Sequence, residues 1–227
     1  MSEDAEHNLV EQAQNRDPAA IAELYRRYWR AARAAAYGVT GHLDLAEDAA
    51  SEAFCAALES LRDLKDTARF GPWLRTIVVR TAKRLRTSNS KNKTAPLHEA
   101  PDAKSLSPQQ NLQQREFAAL IHEAVAGLSS SLREAMSLFY FEGYSLKDAA
   151  RFLDVPTGTL KRRLHEGRQT LRQAAEQISK GSKPENHKRE QVLRQLRELV
   201  DKELDHETLY QAMRQTLGVR PVPMDLL

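Results

Sequence analysis

"YSLKDAARFLDVPTGTLKRRLHEGRQTL", Tyr144 to Leu171, decides the fold of the chain. Ser145 stands three residues ahead of Asp148. That is the spacing of a capping box, in which the two side chains satisfy free donors at a helix start. Leu146, Ala149, Ala150 and Leu153 follow at helical steps and give this helix an apolar inner face. In "DVPTG", Pro156 disfavours helical geometry at Val155, so the segment reads as a turn. Thr157 can cap a second helix. There Leu160, Leu164 and Leu171 line one side, with Gly167 allowing close approach, and Lys161, Arg162, His165, Arg168 and Arg172 project from the rest. Between Thr157 and Arg172 five cations stand against one acid, Glu166, a net of +4 on one helix. Two helices about a tight turn, the second cationic, predict a helix-turn-helix that lays its second helix in the DNA major groove. Arg and Lys there can read guanine or hold phosphates. The plainer alternative is an αα-hairpin with a solvated basic face, because the pattern alone is a weak motif.

The bulk composition narrows the class. The chain has 227 residues, 41% hydrophobic and 29% charged, which is globular rather than disordered. Nine Gly, nine Pro and abundant Ala, Leu, Arg, Glu and Gln favour helix nearly throughout. The net charge of +3 says little by itself; local clustering of charge is the informative signal. The single Cys55 permits no intramolecular disulfide and no multi-Cys metal site, which fits a reducing cytoplasm. The start, "MSEDAEHNLVEQAQ", is acidic and polar, without the apolar core of a signal peptide. A soluble cytoplasmic protein without membrane insertion is expected.

Outward from the motif the periodicity predicts more helices. Asp17-Pro18 is a start signal, and Ile21, Leu24, Tyr25, Tyr28 and Trp29 share a face of a helix over 18–39. A second helix, 43–61, buries Leu45, Ala49, Phe54, Leu58 and Leu61, with Cys55 expected as a small packing residue. "RDLKDTARFGP" is a polar connection. A third helix, 72–87, turns Trp73, Leu74, Ile77, Val78 and Leu85 inward and Arg75, Arg80, Lys83, Arg84 and Arg86 outward. Residues 88–110, rich in Ser, Asn, Lys and Pro, read as a flexible linker. Helical spacing resumes at Leu112 and runs to Leu128. A further helix holds Leu132, Met136, Phe139 and Tyr140, and "FEGYS" leads into the motif. A second linker, 179–187, precedes a tail with an apolar stripe from Val192 to Leu204.

Two blocks in this order resemble an alternative sigma factor of the extracytoplasmic-function type, in the sigma-70 family. The first is "LYRRYWRAARAAA", "DLAEDAASEAFCAALESL" and "FGPWLRTIVVRTAKRLR", similar to the second conserved region of such factors. The second, "LSSSLREAMSLFYFEGYSLKDAARFLDVPTGTLKRRLHEGRQTLRQA", is similar to the fourth. The resemblance implies an all-α chain of two helical domains joined by a flexible linker, plus a helical C-terminal extension. Its parts are a region 2-like domain at 1–88, a linker at 89–111, a region 4-like helix-turn-helix domain at 112–179 and the extension at 180–227. It implies promoter-specific initiation with core RNA polymerase, the β′ clamp helices and the β flap being the docking partners, and promoter DNA the target.

It also implies site residues. Glu47, Asp48, Ser51 and Glu52 would meet polymerase, as an acidic stripe suited to Arg on a partner. Phe70, Trp73, Arg75, Arg80, Lys83 and Arg84 would face the −10 element: the cations hold a single strand by its phosphates, while the 63–71 loop takes a flipped base. Trp73 is expected to pack the core. Pro156, Thr157, Thr159, Lys161, Arg162, Arg163, His165 and Arg168 would read the −35 element. The chain departs from the family pattern at Arg80 and Arg84, where a polar or acidic residue is common, and at Glu166, where a base is common. Gly71-Pro72 would stiffen the −10 loop. The extension, with eight bases and eight acids from 182 to 227, is neutral and so no DNA arm. It packs as added core or inhibits in cis; a separate anti-sigma factor is the other regulator considered.

No Gly-rich phosphate loop, nucleophile elbow or metal-ligand spacing is present among the seven scattered His and one Cys. No catalysis, cofactor or metal is expected. The alternative function is a conventional helix-turn-helix regulator that binds duplex DNA without being a polymerase subunit.

Overall fold

The computed structural model describes residues 3–92, 125 and 127–180. The described residues are helical with turns and contain no strand. The predicted 89–111 linker, from residue 93 on, and the whole extension beyond residue 180 lie outside them, as does most of the 112–128 helix.

Helix α1, Glu3–Gln14, was not legible as an element in the polar N-terminal sequence. Its inward side is Glu6, Val10 and Ala13, so one of three buried positions is an acid. Helix α2, Pro18–Thr40, starts as predicted: the Asp17 carboxylate accepts from the Ala19 amide at 2.8 Å, with Pro18 at the first turn. Gly41 ends it in the left-handed conformation at φ 72°, donating to the Tyr37 carbonyl at 2.9 Å. Helix α3, Leu43–Glu59, packs on α2 largely through alanine. Ala31, Ala32, Ala34, Ala35 and Ala36 of α2 and Ala46, Ala49, Ala50, Ala53 and Ala57 of α3 are buried. Small side chains at a helix contact shorten the interaxial distance.

The polar connection contains two 3-10 turns, Leu61–Asp63 and Thr67–Arg69, the second capped by Asp66. Helix α4 then runs Phe70–Asn92, longer at both ends than the 72–87 span expected. Leu74, Val78 and Ala82 face α2 and α3. Two apolar expectations fail on α3: Leu58 is 37% exposed and Cys55 is exposed. The burial is instead carried by Ala46, Ala49, Ala50, Ala53, Phe54 and Ala57, on the other side of the helix. On α2, Tyr25 is 42% exposed.

Helix α5, Ser130–Met136, continues into a π-helical turn, Ser137–Phe141, in which the Glu142 amide donates to the Ser137 carbonyl at 3.0 Å. Helix α6, Leu146–Leu153, has the expected cap: Ser145 Oγ accepts from the Asp148 amide at 3.1 Å and donates to its carboxylate at 2.6 Å. Asp154 stops α6 at φ 55°, an αL cap taken here by a short polar side chain instead of glycine. Helix α7, Thr157–Lys180, follows. Pro156, not Thr157, holds its cap position, because the Pro156 carbonyl accepts from Thr159 and Leu160 at 2.9 and 3.1 Å.

Residues Met1–Thr94 and Ser129–Leu164 form one compact unit, and Ala95–Leu128 with His165–Leu227 form another. In the first unit the α5–α6 segment packs against α2 and α4. Helix α5, the π turn and α6 of the second conserved block therefore share a core with the first block.

Candidate functional surfaces

Three surfaces take the predicted site residues. On α3, Glu47, Asp48, Ser51 and Glu52 are all exposed and share one face, which Cys55 and Leu58 extend. Two of the carboxylates have partners at the rim. Glu47 accepts from Arg33 at 3.2 Å, and Glu52 is paired with Arg84 of α4. Exposed ion pairs of this kind contribute about 0–1 kcal/mol, so a stronger cationic partner can displace them. Tyr25 stacks on Trp29 with ring centroids 5.0 Å apart and tilts onto Phe54 at 5.0 Å, giving α2 an aromatic edge.

On α4, Arg80, Lys83 and Arg84 are exposed at three- and four-residue steps, as the spacing implies. Arg86 donates to the Val39 carbonyl at 3.0 Å. Two −10 assignments are corrected. Phe70 is 1% exposed and meets Tyr28 edge-on at 4.9 Å, so it is a core ring and cannot stack on a base in this arrangement. Arg75 does not project outward. It lies half-buried and binds both oxygens of the Glu134 carboxylate at 2.7 Å each. Those hydrogen bonds, against partial burial, raise its pKa above the ordinary arginine value. Trp73 is half-buried, its ring 5.9 Å from that of Phe70.

On α7 the predicted division holds. Leu160, Leu164, Gly167 and Leu171 are buried, while Pro156, Thr157, Lys161, Arg162 and His165 are exposed. Thr159, Arg163 and Arg168 are half-buried. The exposed side chains stand in the first three turns, toward the end from which a recognition helix presents groups to base edges.

A fourth group was missed in the sequence. Glu134 and Glu142 are 4% and 5% exposed. Glu142 accepts from Arg30 at 3.0 Å and from Arg33 at 2.6 Å. Burial works against the Arg33 charge, but Glu142 and then Glu47 outweigh it and its pKa lies above the ordinary value. The Tyr144 hydroxyl donates to the Arg27 carbonyl at 3.0 Å, and Arg133 donates to the Gly38 carbonyl at 3.2 Å. Glu6 of α1 accepts from Tyr28 and pairs with Arg151 of α6 at 2.9 Å. The only sequence signal was an acid at each end of an apolar run, "EAMSLFYFE".

Among the described residues no cluster of three or more His, Cys, Asp or Glu could hold a metal ion, and no helix is long and apolar enough to cross a membrane.

Comparison with known proteins places both blocks. The family description "Sigma-70 region 2" matches residues 24–92, and "Sigma-70, region 4" matches 118–171. The chain is 26% identical over 188 residues to the RNA polymerase sigma-H factor of Pseudomonas aeruginosa, covering 78% of this chain and 97% of that one. It is 27% identical over 175 residues to the ECF RNA polymerase sigma-E factor of Escherichia coli K12, covering 72% and 90%. Among solved structures it is similar to CnrH in complex with the cytosolic domain of CnrY. That match has a TM-score of 0.51 at 21% identity, covers 78% and 99% of the two chains, and is a likeness of fold.

Proposed function

The chain belongs to the sigma-70 family as an extracytoplasmic-function sigma factor, and from that premise we propose how its surfaces divide the work. It binds core RNA polymerase and directs initiation by −35 recognition and −10 melting. The α3 stripe of Glu47, Asp48, Ser51 and Glu52 docks on the cationic clamp helices of the β′ subunit, and the 129–180 segment engages the β flap. Helix α7 reads −35 from Lys161, Arg162 and His165, with Pro156, Thr157, Thr159, Arg163 and Arg168 around them. Arg80, Lys83 and Arg84 hold the −10 strand by its phosphates. The polymerase performs the chemistry, in the cytoplasm.

The observation that carries this reading is the charge division between elements: an exposed anionic face on α3 and an exposed cationic start to α7, each over a buried apolar side. Run-off transcription with core polymerase on a genomic promoter library tests the assignment. Discrete promoter-dependent transcripts are expected. Tight duplex binding by the isolated protein, with no association to core polymerase, would instead favour the conventional regulator.

A further inference from the structure

The connection between α3 and α4 carries the loop expected to take a flipped base, and that loop is shaped from outside. Leu61, Leu64, Thr67 and Phe70 are buried, one residue in three. Two 3-10 turns, at three residues per turn, bring them to one side. Arg62, Asp63, Lys65, Asp66 and Arg69 are exposed. The places of these charged groups therefore depend on how the inner side of the loop is held.

Helix α1 holds it. The Gln14 side-chain amide has two protons to donate, and it donates to the Leu61 carbonyl at 3.0 Å and to the Leu64 carbonyl at 2.9 Å. In return, Arg62 Nε donates to the Gln14 carbonyl at 3.2 Å. One end of α1 is thus fastened to the first 3-10 turn. Nearer the other end, the His7 ring is hydrogen-bonded to the buried hydroxyl of Thr67, in the second turn. The backbone after Gln14 is built for this placement. Arg16 takes the left-handed conformation at φ 62°. Its amide donates to the Ala13 carbonyl at 2.9 Å, and the Asp17 amide donates to the Gln12 carbonyl at 3.1 Å. Those two bonds close a helix in the Schellman manner, at a position usually given to glycine. An arginine stays there only when its surroundings fix it. Ending α1 at this point leaves the Gln14 carbonyl without a helical partner, and Arg62 supplies one.

We propose that Gln14 is a positioning residue for the −10 element: by fastening the Leu61 and Leu64 carbonyls, with His7 on Thr67 as a second tie, it fixes the backbone from which the loop presents Asp63 and Lys65, and so sets how sharply bases are discriminated there. The inference rests on the sigma-factor reading and deepens its −10 site. Gln14 acts from behind the loop. Ordering a slack loop on DNA costs the same whichever base is present, so it weakens all promoters alike. A slack loop also adjusts to a wrong base, and a fixed one leaves that base with unmatched donors and acceptors. Loss of the tie therefore lowers discrimination more than affinity.

The test uses the full chain. Gln14→Met keeps the length of the side chain and removes both donors. Gln14→Lys keeps donors able to reach the same carbonyls. In free protein, hydrogen exchange over 61–69 should be about tenfold faster in Gln14→Met, with α3 unchanged, and close to the parent in Gln14→Lys. Holoenzyme is then given competing promoters that differ at a single −10 base, and run-off transcripts are counted. At the position of strongest preference, the parent's ratio should fall about tenfold in Gln14→Met and return in Gln14→Lys, with the −35 preference unchanged. Ser145→Ala, which loses a helix cap on α6, is the control for plain destabilisation and should leave the −10 ratio as it is. Unchanged loop exchange in Gln14→Met would overturn the proposal. So would faster exchange with an undiminished −10 ratio, which would make the tie purely structural, or an equal fall in Ser145→Ala. Should Gln14→Met lose helicity by circular dichroism, His7→Phe, which cuts the second tie, decides by the same criteria. A parent that gives no promoter-dependent transcript would fail the sigma-factor reading, and this inference with it. A parent that transcribes selectively keeps that reading standing when the Gln14 result fails.

Discussion

Lys161 and Arg162 illustrate how a residue's environment limits what it can do. Both are exposed at the start of α7, over buried Leu160 and Leu164. If they touch bases, Lys161→Ala or Arg162→Ala should weaken −35 binding by about 1–3 kcal/mol, measured with holoenzyme at two salt concentrations. A change confined to the salt slope would make them phosphate contacts. Leu160 beneath them is fully buried, so Leu160→Ala should cost about 2–5 kcal/mol in chemical denaturation; a loss under 1 kcal/mol would contradict the packing. Tyr144 offers a pH test. Burial, then the neighbouring Glu142, pushes its hydroxyl up to about 12 from 10.0. The folded state thus favours the neutral phenol, and this contribution is intact below pH 10 and lost as pH rises through 12. Tyr144→Phe should lose less stability than the parent across that window, followed by circular dichroism; equal losses would refute the assignment. At this scale the sequence was informative for cations over a leucine stripe and uninformative for Phe70 and Arg75. An aromatic at a loop edge and an arginine on a basic helix look the same in one dimension whether they face solvent or a buried carboxylate.

The helices of the recognition motif were legible because their ends are written in local chemistry. Ser145 with Asp148 and Asp17 with Pro18 cap their helices as their spacing predicts. Ser145→Ala should therefore cost about 1 kcal/mol, seen as a lower thermal midpoint, while Ser131→Ala on exposed α5 surface should stay within about 0.5 kcal/mol. Comparable losses at both sites would remove the cap's special standing. Helix α1 escaped the sequence because one of its inward residues is Glu6, and periodicity counts apolar side chains. The π turn at Ser137–Phe141 escaped because nothing in "SLFYF" distinguishes a five-residue bond from a four-residue one. Asp154 escaped because αL caps are sought at glycine.

For the molecule as a whole, two blocks in order could be read from the sequence, but not their closure on each other. That closure depends on acids finding arginines about 60 to 110 positions away, as Glu134 finds Arg75 and Glu142 finds Arg30, and single-sequence periodicity carries no such pairing. Residues 180–227 pose the other whole-molecule question. If they restrain the factor in cis, deleting 182–227 should raise promoter-specific output in run-off transcription; unchanged output would assign them to added core. The alanine contact between α2 and α3 bears on control as well. Side chains with a single carbon have no rotamers to rearrange, so the pair of helices has few ways to yield and moves as one plank. Arg33, at the margin of that plank, holds Glu47 of the acidic face at 3.2 Å and Glu142 beyond α5 at 2.6 Å, so a partner that takes Glu47 also frees one hand of the arginine that grips the second block.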